Sequence, residues 1–178
     1  MSTETQQRTA TEVAREAFHV LFVERDPEKA RRFWTGDSVD HFLAAGETVR
    51  GGDALAAWFA DLLRAFPDWT IEIENTFDDG DRQVVVQWHA RGTFEGGPFL
   101  GIEPTGRPVE LRGVDVFRFD DDWRVDSNTV YYDGAEFARQ LGMLPPRESA
   151  PDRLMLRAFN ARVRLARRVR ARRGGAPA

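Results

Sequence analysis

The chain contains no cysteine, which excludes disulfides, thiolate nucleophiles and cysteine-ligated zinc or iron–sulfur centres. No apolar run approaches the roughly 18 residues of a membrane helix. The first residues, MSTETQQRTATE, lack the apolar core of a secretory signal, so the cytoplasm is the expected location. Lysine is reduced to Lys29 alone and histidine to three residues. The glycine pairs Gly51-Gly52, Gly96-Gly97 and Gly174-Gly175 lack the spacing of a nucleotide-binding loop. No His-Glu-x-x-His or similar spacing marks a metal site, and neither Ser38 nor Ser127 has the context of a hydrolase triad. No cofactor and no metal are expected.

What is present is a chain of 178 residues, 42% hydrophobic, which suits one globular domain. Its net charge of −4 is the sum of two unlike parts. Residues 151–178 hold nine arginines and one acid, for +8, whereas residues 1–150 hold 28 acids and 16 bases, for −12. Pro145-Pro146 and Pro151 separate the two parts. The division expected is a domain over 1–145 and an Arg-rich tail over 146–178. Met155, Phe159, Val163, Ala166 and Val169 recur at helical spacing, predicting a basic helix over 152–172 with a disordered end from Gly174.

Along the domain, Thr9 and Glu12 form a capping box that opens a helix reaching about Glu24. Asp26-Pro27 starts a second helix. A third begins at Gly51-Gly52-Asp53, carries Leu55, Phe59, Leu62 and Phe66 on one stripe, and stops at Pro67. Ser38–Ala44 reads as a short strand. From Asp68 the period becomes two, with strands at 69–74, 83–94, 109–119 and 123–132, and a short helix at 135–141 closed by Gly142. Helices followed by hairpin-linked strands predict an α+β domain with an antiparallel sheet.

Several local features occur in a telling order. Asp40-His41 precedes the Gly51-Gly52 helix start, and Ala65-Phe66-Pro67-Asp68 closes that helix. Gly80-Asp81, Trp88, Gly92-Thr93, Gly101-Ile102 and Pro104-Thr105-Gly106 follow. Then come Val114-Asp115-Val116-Phe117-Arg118-Phe119 and Asp133, seven residues before Gln140-Leu141-Gly142. In this order, His41–Pro145 resembles the SnoaL-like polyketide cyclase (ester cyclase) family of the ketosteroid isomerase-like superfamily. The resemblance implies a curved sheet wrapped with three N-terminal helices into a cone, with the pocket inside, and a homodimer. The chain departs from the family at Phe94, where histidine is common, and at Ser127-Asn128-Thr129, where Glu-His-Trp is common. Phe18 falls where ketosteroid isomerases place an oxyanion-hole tyrosine.

Three residues are candidates for catalysis. Asp115 shares a strand face with Val109, Leu111, Phe117 and Phe119, so its carboxyl is expected in an apolar setting that raises its pKa. It would serve as a protonated donor to an oxyanion or as a poised base, or else belong to a structural network. His41 resembles the isomerase base in position, or bonds a nearby backbone carbonyl. Asp133 matches the family's acidic position, or caps the helix that follows it. Phe18, Trp88 and Tyr132 are expected to meet substrate, and Asn128 either hydrogen-bonds a ligand carbonyl or pairs within the sheet. Trp34, Trp58, Phe59 and Phe99 either line an aromatic pocket or fill the core. His89 is expected outside the cone, at a dimer interface or in solvent, and His19 is expected to be partly buried.

The resulting expectation is a cofactor-independent cyclase or isomerase acting on a small hydrophobic, polyketide-like carbonyl compound. Proton abstraction, enolate stabilisation and intramolecular aldol closure would be its steps. One alternative is a non-catalytic ligand-binding or assembly module. Another is an epoxide hydrolase-like enzyme using Asp115, Arg112 or Arg91, and Asp133. The tail is expected to dock on the acidic body or on a partner subunit. A solvated segment, an anionic membrane surface and nucleic acid follow in that order.

Overall fold

The structure, a computed structural model, describes residues 8–174, with side chains described as far as Arg170. The amphipathic first helix, α1 (Ala10–Phe18), opens on the expected capping box. The Thr9 hydroxyl accepts from the Glu12 N–H at 3.2 Å, and the Glu12 carboxylate accepts from the Thr9 N–H at 3.0 Å. The helix continues through a π-turn at His19–Val23. Asp26 caps the short α2 (Pro27–Ala30), accepting from the Lys29 N–H at 2.8 Å, and a 3₁₀ turn at Arg31–Phe33 leads into the sheet. β1 (Trp34–Phe42) and β2 (Glu47–Arg50) precede α3 (Gly52–Ala65). β3 (Thr70–Asp78), β4 (Gln83–Phe94), β5 (Arg107–Phe119) and β6 (Val125–Tyr132) follow, then α4 (Gly134–Leu141) and α5 (Ala150–Gly174).

The six strands form one sheet in the order β2-β1-β6-β5-β4-β3. The expectation of a purely antiparallel sheet needs correction, because β1 runs parallel to β6 while every other pair is antiparallel. The parallel pair is possible because helix α3 and the whole β3–β5 meander separate the two strands in sequence. β2 is an additional strand, four residues long and largely exposed, with no apolar alternation to announce it.

The strands place their apolar residues on the concave face: Val84, Val86, Trp88 and Ala90 on β4, and Val109, Leu111 and Phe117 on β5. α1 lies over β3 and β4, α3 lies over β1 and β2, and α4 meets β5. Between helices and sheet sits one apolar core that includes fully buried Phe66 and Phe94.

α5 spans the tail helix expected from the sequence and extends it at both ends. From Pro151 to Arg170 its side chains are exposed, apart from the half-buried Asp152 and Val163. Its described side chains are thus little covered by the rest of the chain. Gly174, expected to be disordered, is the last helical residue, and residues 175–178 lie outside the described part.

Candidate active site

A cavity of about 90 Å³ occupies the inside of the cone, room for several waters or one compact organic group. Aromatic rings dominate its wall. Phe18 meets Phe117 edge-on at 6.2 Å, Trp34 stacks on Phe59 at 5.6 Å, and Trp58 stacks on Phe42 at 3.8 Å. The α1 helix and its π-turn supply Phe18, Leu21 and Phe22 to the cavity from one helix face.

Three polar side chains stand together in this apolar setting. Asp40, Asn128 and Asp115 expose only 1%, 2% and 8% of their surface. Strand register brings them together. Asp40 pairs with Asn128 across β1 and β6, and on β5 the neighbours of Asn128 and Val130 are Phe117 and Asp115. Asn128 thus lies between the two acids on one face. Its amide nitrogen donates one hydrogen bond to Asp40 Oδ2 at 3.2 Å and another to Asp115 Oδ2 at 3.1 Å. Trp88 completes the cluster, its Nε1–H donating to Asp115 Oδ1 at 2.7 Å.

This geometry treats the two acids differently. Both oxygens of Asp115 accept a hydrogen bond, whereas Asp40 accepts one and its Oδ1 has no protein partner. Burial lifts both carboxyls out of the usual range. Asp115 is pushed up to about 6 by desolvation, with the Trp88 and Asn128 bonds pulling the other way. Asp40 is pushed up to about 7 by desolvation, opposed by the Asn128 bond and reinforced by the charge of Asp115. Near neutral pH the pair therefore holds one exchanging proton, mostly on Asp40. Tyr132, further along β6 on the same face, is raised to about 12 by burial and by nearby Glu47, so its phenol stays protonated. The exposed Glu47, outside the cavity lining, accepts from Trp58 Nε1–H at 3.0 Å.

The eight side chains expected to meet substrate, from Phe18 to Tyr132, all line this cavity, and so does Asp115. His41 does not. It alternates with Asp40, faces the other side of β1, and shares a hydrogen bond through Nδ1 with Thr48 Oγ1 at 3.1 Å. Asp133 also lies outside, with its carboxylate accepting from the Glu136 N–H at 2.9 Å as the cap of α4. Arg112 and Arg91 point outward, toward Glu74 at 3.0 Å and Glu110 at 3.6 Å. No Asp-Arg-Asp constellation forms from these residues.

His89 is outside the cone as expected but is neither solvent-exposed nor free. It is 5% exposed, with Nε2 2.7 Å from Glu110. His19 is exposed rather than partly buried. Asp40 and Trp69 are cavity residues that the sequence reading passed over. The signal for Asp40 was its strand parity with Ser38 and Phe42. Among the described residues, no group of three or more His, Asp or Glu could hold a metal ion. No described helix is long and apolar enough to cross a membrane.

The family model of the SnoaL-like polyketide cyclases matches residues 12–141. The chain belongs to that family. No curated protein matches it. Solved structures share its architecture, the ketosteroid isomerase-like fold. AclR of Streptomyces galilaeus, a proposed hydroxylase, is 20% identical with a TM-score of 0.64, covering 94% of this chain and 98% of AclR. A proposed SnoaL-like polyketide cyclase from Jannaschia sp. CCS1 is 26% identical with a TM-score of 0.62, covering 80% of this chain and 99% of its own. SalBIII, an epoxide hydrolase/cyclase-like enzyme of pyran ring formation in the polyether salinomycin, is 21% identical. Its TM-score is 0.59, and the match covers 71% of this chain and 92% of SalBIII.

Proposed function

We propose that this protein closes a ring in a compact, uncharged, polyketide-like carbonyl compound by acid–base chemistry at Asp40. The observation that carries the reading is the buried Asp40–Asn128–Asp115 cluster, in which Asp40 is the one carboxyl group with an oxygen lacking a protein partner. A base with a pKa near 7 is well matched to neutral operation. Asp40 as carboxylate takes a proton from the carbon next to a carbonyl. The electron pair of the broken C–H bond becomes an enolate, whose oxygen accepts from the Tyr132 hydroxyl. The enolate carbon attacks a second carbonyl of the same molecule, and the alkoxide formed takes the proton back from Asp40. Substrate and product are isomers, and no other reactant is consumed. Asp115 acts as a positioning residue, a fixed negative charge that raises the basicity of Asp40.

This assignment replaces His41 and Asp133 with Asp40 as the base, and it gives Tyr132 the donor role first expected of Asp115. The test is turnover on a panel of linear diketo esters, followed as loss of substrate and gain of a cyclic isomer of equal mass. Asp40→Asn should lower turnover at least about 100-fold with an unchanged circular dichroism spectrum. Full activity of that variant would sink the reading.

A second reading has its own support in the paired carboxyl groups and in the likeness to SalBIII. Asp40 as an acid would protonate an epoxide oxygen while a hydroxyl of the same substrate attacks the ring carbon and Asp115 takes its proton. A hydroxy-epoxide that closes without incorporating solvent oxygen, while the diketo esters stay untouched, would select this reading over the first.

A further inference from the structure

Thirteen of the twenty-three residues lining the cavity are aromatic, two are acids, and none is lysine, arginine or histidine. The acids are therefore negative groups without a countercharge in the same space. The rings are also not simply stacked. Trp58 meets Phe59 at 83° and Phe22 meets Phe59 at 78°, so edge-to-face pairs stand beside the stacked ones and the aromatic lining is turned in several directions, a box of rings about the cavity. Aromatic faces carry the negative end of their quadrupole and attract weakly hydrated cations, most strongly in a desolvated site. A buried carboxylate is costly without a partner, and a cation entering the box supplies one.

We infer that this cavity is a binding site for compact organic cations of the tri- and tetraalkylammonium class, held by the aromatic walls against Asp40 and Asp115. The inference goes beyond the ring-closing reading and depends on the charge and shape of the cavity, not on any reaction. A small inorganic cation would have to shed a tightly held hydration shell that the rings cannot replace. An alkylammonium ion enters with its charge spread over methyl groups that pack on the rings. A cavity of about 90 Å³ suits such a compact body better than a fused polycyclic one. Glu47, exposed and hydrogen-bonded to the cavity residue Trp58, adds negative charge nearby.

Binding has a defined pH dependence. The titratable groups facing the cavity are Asp40 on β1, Asp115 on β5 and Tyr132 on β6. Glu47 on β2 bonds Trp58 and acts on Tyr132 by its charge without lining the cavity, and the described lining residues of α1, α3, α4, β3 and β4 add no titratable group. Tyr132 is neutral throughout. Affinity should therefore rise as the two aspartates lose their protons and level off once both have ionised.

Four of the five tryptophans line the cavity, so their fluorescence reports occupancy. The experiment titrates the full chain with tetramethylammonium chloride at constant ionic strength, and in parallel with tert-butanol, an uncharged molecule of similar shape. Expected are saturable binding of the cation, at least about tenfold tighter than tert-butanol near pH 8, and at least about tenfold weakening of the cation near pH 5. The double variant Asp40→Asn/Asp115→Asn, checked for folding by circular dichroism, should lose the preference for charge and keep its affinity for tert-butanol. Equal binding of both probes, no saturable binding of the cation, or an unchanged preference in the double variant would overturn the inference. None of these outcomes requires turnover, so failure of the ring-closing reading is recognised separately.

Discussion

The hydrogen bonds received by each carboxyl oxygen separate the roles of Asp40 and Asp115. Two donors hold Asp115 and favour its charged form, while Asp40 has one donor and a free oxygen. The charge of Asp115 is one of the reasons Asp40 ionises only near 7. Asp115→Asn should therefore move the acidic limb of the kcat/KM profile to lower pH, as well as lowering the plateau. A profile that drops without moving would deny Asp115 this role. His41→Ala should leave activity within about threefold of the parent, because the imidazole has no access to the cavity. Asp115 was legible in the sequence, since a carboxylate stood on a face otherwise made of Val109, Leu111 and Phe117. Asp40 was less so, because Phe42 shares its strand parity while Val39 shares that of the adjacent His41, so alternation alone points both ways. The parallel pairing of Asp40 with Asn128 decides it, and that pairing lies 88 residues apart in the chain.

At the scale of elements, the β4–β5 pair sets the position of Asp115. Gly113 pairs with Trp88, and a methyl group at Gly113 would meet the Trp88 ring at 2.4 Å and the Tyr131 carbonyl oxygen at 2.5 Å. The glycine is what lets the indole lie across β5 and reach Asp115. Gly113→Ala should lower the thermal midpoint and weaken the hold on Asp115, with an overpacking cost of about 1–3 kcal/mol in denaturant titration. Helix α4 gives the opposite case. Asp133→Ala removes its N-cap and should cost about 1 kcal/mol of stability with activity retained. Activity lost in step with a small stability change would restore Asp133 as a catalytic candidate. The helices and long strands were readable from caps, periods and turn residues. β2 was not, because four residues, three of them exposed, carry no alternating pattern. The parallel β1–β6 contact was not readable either, because hydrophobic periodicity reports which face a residue takes and not which strand lies beside it.

For the whole molecule, the net charge of −4 divides between an acidic cone and a +8 helix that leaves it. A truncation after Ser149 should keep the thermal midpoint within a few degrees of the full chain, since α5 buries almost nothing. We propose that the helix finds its countercharge on a second copy. Self-association in sedimentation experiments should then weaken with added salt and disappear in the truncated chain. The cone has a pH signature of its own. Asp40 and Asp115 ionise at about 7 and about 6 in the fold, against an ordinary value of 3.8. The folded state thus holds more protons between these limits, so these groups make stability fall as pH rises from about 4 to about 7. The double variant Asp40→Asn/Asp115→Asn should flatten that decline. Both effects come from the enclosure that the whole cone builds around two carboxyl groups. The most direct test is to follow the side-chain carboxyl carbons of aspartate by NMR across pH, assigned with the Asp40→Asn and Asp115→Asn variants. Two signals with apparent midpoints of about 6 and about 7 are expected, each displaced when the other residue is replaced. Two ordinary, independent midpoints near 4 would contradict it.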